Sequence, residues 1–229
     1  MFNTGIPTKI RSIRYGIKQD GIYYYVRRPY GILYHIEKHQ LINAIQEEHQ
    51  YDRLGVKDRQ VVDIGADTGD TAIQFAYRGA KEIYSYEPNI TSVKVMDLTL
   101  SKNHFSNISL FHKAVMGKEG YVYIDETANP DRGSSLSKGT FRLEAITLDS
   151  IVAEHKINNA VLKMDCEGSE YAIIDNASDK TLLAFREMAI ELHKGEGNII
   201  SRLKKLGYKI ETTKPMSNGV YMIFASLGG

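Results

Sequence analysis

The sequence predicts an α/β fold built on a mostly parallel sheet, and three observations carry that prediction. From about residue 60 onward, short β-rich runs alternate with helical patterns, the mark of strand–helix–strand units. The first run, Gln60–Ile64, ends in a glycine-containing turn ahead of a helical stretch. The chain closes on two strand-like runs, Tyr208–Thr212 and Val220–Ala225, separated by a turn region at Pro215–Gly219. That ending suggests an antiparallel pair at one edge of the sheet.

Taken in order, residues 1–58 differ in composition from the rest and are expected to form an N-terminal extension, with the main domain at 59–229. The extension carries a Tyr-rich hairpin pattern turning at Asp20–Gly21 and a helical pattern through His39–His49. In the main domain, Thr71–Arg78 reads as a helix closed by Gly79, then Glu82–Tyr86 as a strand and Thr91–Lys102 as a helix. Ile108–Lys113 is a third strand, Ala160–Met164 a fourth followed by a helix at Ser169–Ala177, and Arg186–Leu192 a fifth followed by a helix across Asn198–Leu206. Two further strand-like runs, Gly120–Asp125 and Thr140–Ile146, flank a polar loop, Thr127–Gly139, which contains Arg132, Ser134 and Ser135 and is expected to close over a site.

Composition limits the function classes. With 42% hydrophobic and 25% charged residues the chain is that of an ordinary folded protein. A net charge of +1 gives no global case for nucleic acid. The lone cysteine, Cys166, rules out an intrachain disulfide framework, and no apolar run approaches the ~20 residues of a membrane helix. A cytoplasmic protein without a membrane partner is expected; oligomeric state has no sequence signature here.

The segment Val61-Val-Asp-Ile-Gly65-Ala-Asp67-Thr-Gly69-Asp70-Thr71 falls where open α/β sheets bind ligands, beyond the carboxyl end of a strand. Glu87 ends the second strand 22 positions after Gly65, where a carboxylate that accepts from ribose hydroxyls is expected. A nucleoside-containing cofactor follows. The dinucleotide fingerprint needs glycines where this chain has Asp67 and Asp70, and carboxylates there repel a pyrophosphate. They attract the ammonium and sulfonium of S-adenosylmethionine. Spacing permits either cofactor; charge favours the methyl donor.

Four stretches then resemble the FkbM-type S-adenosylmethionine-dependent methyltransferases. They are Val61-Val-Asp-Ile-Gly65-Ala-Asp-Thr-Gly69, Tyr86-Glu87-Pro88-Asn89, Thr147-Leu148-Asp149-Ser150, and Leu162-Lys163-Met-Asp165-Cys-Glu167-Gly168-Ser-Glu170. A weaker one is Glu191-Leu-His193. The resemblance implies a Rossmann-like class I methyltransferase fold with a seven-stranded, mostly parallel sheet whose last strand is antiparallel. It implies methyl transfer to oxygen, commonly on a small molecule or sugar, with S-adenosylmethionine as cofactor. Carried over by motif, Asp63, Gly65, Gly69 and Glu87 would hold the cofactor, with Ala66, Asp67 and Pro88 beside them. Lys113–Ala114–Val115 falls where such proteins bracket the adenine.

For a hydroxyl acceptor the protein must orient both partners and remove a proton. Asp165, Glu167 and His193 are the candidates, since they end the fourth and fifth strands; Asp165 or His193 would be the base. Glu170 reads as an acid stabilised in the first turn of a helix. Lys163 reads as a buried stem with its charge at the sheet edge. No metal is required, although Asp165, Glu191 and His193 offer a donor set for a divalent ion. Tyr23, Tyr24, Tyr25 and Tyr30, with Arg27–Arg28, read as a substrate wall or as a hairpin packed on the sheet. Two rival readings stay open: an RNA methyltransferase using Lys9, Arg11, Arg14, Lys18, Arg27 and Arg28, and a non-catalytic cofactor-binding protein.

Overall fold

The computed structural model describes residues 15–124, 141–193, 195, 197–213 and 220–228. The loop Thr127–Gly139, the turn Pro215–Gly219, and Lys9, Arg11 and Arg14 lie outside the described residues. No helix among those described is long and apolar enough to cross a membrane.

The chain begins with three short antiparallel strands, β1 (Lys18–Asp20), β2 (Tyr23–Arg28) and β3 (Gly31–His35), followed by α1 (Lys38–Gln46). The expected hairpin at Asp20–Gly21 is present, and β3 adds a third strand. Val26, Leu33, Leu41 and Ile45 pack this unit onto Ile73 of the main domain. The helix stops at Gln46 rather than continuing to His49. Glu48 is drawn back to Arg28 and the Tyr30 hydroxyl, so residues 47–51 leave the helical path.

The main domain follows as β4 (Gln60–Ile64), α2 (Asp70–Tyr77), β5 (Glu82–Tyr86), α3 (Ile90–Ser101) and β6 (Ile108–Phe111). A small sheet interrupts, made of β7 (Ala114–Val115), β8 (Gly120–Ile124) and β9 (Phe141–Ile146), and leads into α4 (Leu148–Glu154). Then come β10 (Ala160–Met164), α5 (Glu170–Asn176), α6 (Asp179–Leu182), β11 (Phe185–Leu192), α7 (Ile199–Lys205), β12 (Tyr208–Thr212) and β13 (Tyr221–Leu227).

Seven of these strands form one sheet in the order β12–β13–β11–β10–β4–β5–β6. The five from β11 to β6 are parallel, and β13 runs antiparallel to both of its neighbours. The closing pair is therefore not wholly at the edge: β13 inserts between β11 and β12. The side chains explain this. Tyr221-Met-Ile is buried throughout, suiting an interior strand, whereas β12 carries Lys209, Glu211 and Thr212 toward solvent, which protects an edge. Alternation along the central strands feeds two cores. Val62, Ile64, Leu162 and Met164 join one apolar cluster, and Val61 and Val161 the other.

Candidate active site

β4 and β10 are neighbours whose following connections lead to opposite halves of the sheet, toward β5 and toward β11. Ligands of open α/β sheets bind in the crevice at such a switch point. The two loops that leave these strands interlock. Asp165 N–H donates to Ile64 O at 3.0 Å, and a Cβ on Gly65 would stand 1.7 Å from Asp165 O. With φ at +76°, Gly65 is fixed by both contact and backbone conformation. Its N–H and that of Ala66 donate to Tyr86 O, tying the loop to β5.

Period-two alternation places Asp63 and Lys163 on the same face, in register across β4 and β10. Lys163 Nζ lies 3.2 Å from Asp63 Oδ1 and donates to Gly65 O at 2.5 Å. The two side chains are 0% and 4% exposed, for Asp63 and Lys163 respectively, and Tyr51 lies over the ammonium. This corrects one expectation: the Lys163 charge sits in the centre of the sheet, not at its edge. Asp63 likewise lies sealed beneath the glycine loop and bears on it through Lys163.

Around the loop, negative charge accumulates. The buried Glu87 carboxylate accepts from Asp67 N–H at 2.9 Å and Asn89 N–H at 2.8 Å. Burial, with repulsion from Asp67, pushes Glu87 up to about 8. Burial and the same neighbour push Asp70 up to about 7. Asp67 itself is exposed, sits at φ +43°, and accepts from Ser92 Oγ at 2.6 Å. His35 Nε2 of the extension stands 3.9 Å from its other oxygen. Pro88 O faces His112 Nε2 at 3.0 Å. Ala114 is drawn into β7, its side chain buried with Ile124 and Leu143.

A second cluster forms where β10 and β11 end. His193 Nδ1 is 3.0 Å from Glu170 Oε1. Its Nε2 is faced by Glu167 Oε2 and Glu191 Oε1, both at 3.5 Å, and by Asp165 Oδ1 at 3.7 Å. Burial alone would lower His193, but the hydrogen bond to Glu170 and the charges of Glu170, Glu167 and Asp165 raise it to about 9. Burial and Asp165 raise Glu191 to about 7. Burial also raises Glu170, yet the hydrogen bonds from His193 and Cys166 N–H prevail and hold it below the usual carboxylate range.

The structure thus brings together Asp165, Glu167, His193 and Glu191, as the strand ends predicted. The sequence placed Glu170 in the first turn of a helix, where it is, but did not show its pairing with His193. Glu170 is fully buried and accepts from Cys166 N–H in the turn before its helix, and the same carboxylate oxygen meets His193 Nδ1. The Asp-x-Glu-Gly-x-Glu spacing held that signal. Also missed were Glu47, Gln50 and Tyr51. Gln50 Nε2 donates to Glu191 Oε2 at 3.2 Å, and Tyr51 is buried against Phe75 with its ring over Lys163. The extension therefore meets the crevice through residues 47–51. The Tyr-rich strand is engaged elsewhere: Tyr25 stacks on Tyr34, Lys38 lies over Tyr24, and Tyr30 holds Glu48.

With this geometry in place, comparisons with known proteins are informative. The sequence profile of the methyltransferase FkbM domain matches residues 63–210, a span holding the glycine loop, Glu87, the 165–170 stretch, Glu191 and His193. None of the curated proteins matches the chain. Among solved structures, the chain is similar to M. jannaschii TYW2 in complex with AdoMet. Identity is 14% and the TM-score 0.53, with 91% of this chain and 87% of that one covered. It is also similar to the methyltransferase domain of METTL16, at 13% identity and TM-score 0.50, covering 82% of this chain and 67% of that one. At such identities the likeness is one of fold.

Proposed function

This chain belongs to the FkbM methyltransferase family, and from that premise we propose that it moves the methyl group of S-adenosylmethionine to a hydroxyl of a small molecule or sugar. When bound, the cofactor supplies a methyl carbon made electrophilic by its sulfonium. The residues present fit such a group. Asp67, Asp70 and Glu87 crowd carboxyls at the loop, and burial together with repulsion from Asp67 raises Asp70 and Glu87. A cation offsets that repulsion and a pyrophosphate would add to it. Gly65, Ala66, Asp67 and Gly69 would form the cradle, with Glu87 and Pro88 at its β5 side and Asp63 fixing it through Lys163.

The observation that carries the reading is the interlock of the two loops. Asp165 is locked by its own backbone to Gly65, so the proton-handling residues and the cofactor cradle move as one unit. Asp165 and Glu167, which flank His193 Nε2, take the proton of the acceptor hydroxyl, and His193 holds both carboxylates in place.

The acids also bear on the acceptor. Asp165, Glu167 and Glu191, gathered around His193 at the strand ends, disfavour a polyanion in the crevice. Of the basic residues behind the RNA reading, Lys18 and Arg27 are exposed on β1 and β2, and Arg28 is bound to Glu48. The acids of the crevice, rather than the two exposed cations, favour a neutral or cationic hydroxyl compound over RNA. The test is transfer from methyl-labelled S-adenosylmethionine to a panel of sugars, amino sugars and hydroxylated small molecules, with bulk RNA in parallel. Label in the small-molecule fraction is expected; label only in RNA would overturn the acceptor class.

A further inference from the structure

Four carboxylates around one imidazole exceed what proton transfer requires, and their arrangement suits an ion. His193 commits Nδ1 to Glu170, which fixes the ring so that Nε2 faces the other acids. Three oxygens surround Nε2 at 3.5, 3.5 and 3.7 Å, from Glu167, Glu191 and Asp165. Those separations exceed the about 2.7–3.2 Å of an N–H···O hydrogen bond. Ligands sharing an ion at about 2.0–2.3 Å stand about 3–3.7 Å from one another, which is the spacing seen.

Glu170 supplies a separate observation. Its side chain is 0% exposed, Oε1 serves His193 and Cys166 N–H, and Oε2 is buried without a hydrogen-bond partner among the described residues. A buried carboxylate oxygen without a donor is costly, and a cation bound through the ring that Glu170 holds would offset that charge. Ligand atoms of Asp165, Glu170 and His193 lie within 4.8 Å of one another. The nearby Lys163 cannot answer this charge, because its ammonium is held by Asp63 and Gly65 O.

We infer that this cluster binds one divalent metal ion at His193 Nε2, with Asp165, Glu167 and Glu191 as its carboxylate donors and Glu170 holding the ring through Nδ1. The donor set mixes one imidazole with carboxylates, which suits Mn²⁺, Co²⁺ or Zn²⁺ better than Ca²⁺. A hydroxyl coordinated there is acidified, and Glu167, with its side chain 58% exposed, is the acid best placed to pass the proton to solvent. This rests on the methyltransferase reading only for its purpose; the binding is read without turnover.

The full chain is stripped with chelator and titrated with MnCl₂, free Mn²⁺ being followed by electron paramagnetic resonance. One saturable equivalent is expected, with a Kd below about 100 µM. His193→Ala and Asp165→Asn should each weaken it at least about tenfold, and Glu170→Gln by about 10–100-fold. Glu167→Gln, at an exposed position that does not risk the fold, should weaken it by about threefold or more. Glu211→Gln, on the edge strand, should bind as the parent does. Absence of saturable uptake, or a His193→Ala variant that melts normally and binds Mn²⁺ as tightly as the parent, overturns the inference. Calorimetry with S-adenosylmethionine on the same stripped protein separates the two readings: retained cofactor binding with no Mn²⁺ uptake defeats the metal site alone.

Discussion

Lys163→Met tests how the buried pair supports the cofactor loop. Methionine keeps the length of the stem and removes the charge, so packing changes little. What remains is Asp63, 0% exposed, with its cation gone and Gly65 O without its donor. Removing one partner of a buried pair costs about 3–5 kcal/mol, a large share of the about 5–15 kcal/mol that holds a domain together. Asp63 has one escape, which is to take up a proton. Burial already raises its pKa with Lys163 present, and without Lys163 it rises further. A carboxyl whose pKa is raised by folding stabilises at low pH and loses that contribution as pH rises through the folded value. The variant should therefore be weaker at pH 8 than at pH 5, by a wider margin than the parent. The double variant Asp63→Asn/Lys163→Met removes both charges and should recover about 2 kcal/mol or more relative to the sum of the single losses. Urea unfolding followed by circular dichroism measures this, since the chain has no tryptophan. A loss below about 1 kcal/mol in Lys163→Met, or full additivity in the double variant, would refute the argument.

Three further outcomes follow from the same geometry. Gly65→Ala drives a methyl group into Asp165 O at a positive φ, and should lose at least about 2 kcal/mol of stability and most cofactor affinity; melting and calorimetry read both. With Asp70 at about 7 and Glu87 at about 8, S-adenosylmethionine should bind more tightly as pH rises from 6 to 9 and release protons in doing so. Asp70→Asn should flatten the lower part of that profile, and a pH-independent affinity would contradict the charge assignment. Gln50→Ala removes a hydrogen bond to Glu191 at the edge of the crevice. It should change acceptor KM or kcat by about 3–10-fold while leaving cofactor affinity within about twofold; equal losses in both would place Gln50 at the cofactor instead.

Much of the main sheet was legible because its signals are local. A buried parallel strand is a short apolar run, and the strands at 60–64, 82–86 and 160–164 read as such from end to end. The helix at 38–46 was overextended because Glu48 turns away toward Arg28 and Tyr30, partners 20 and 18 residues earlier. No window of local propensity contains that contact. The misreading of Lys163 had the same origin. A lysine inside a strand is most often at an edge, and only the register β10 shares with β4 sets Asp63 beside it.

The sequence by itself determined the alternating α/β order, the glycine loop with its acids, and the strand-end positions of Asp165, Glu167, Glu191 and His193. Those depend on residue type and spacing along the chain. The tertiary structure decided what the acids do. It set Glu170 on His193, turned Gln50 and Tyr51 of the extension toward the crevice, and placed β13 between β11 and β12. Burial and proximity between segments far apart in sequence fix the charge of a side chain and its partner, and those exist only once the chain has folded.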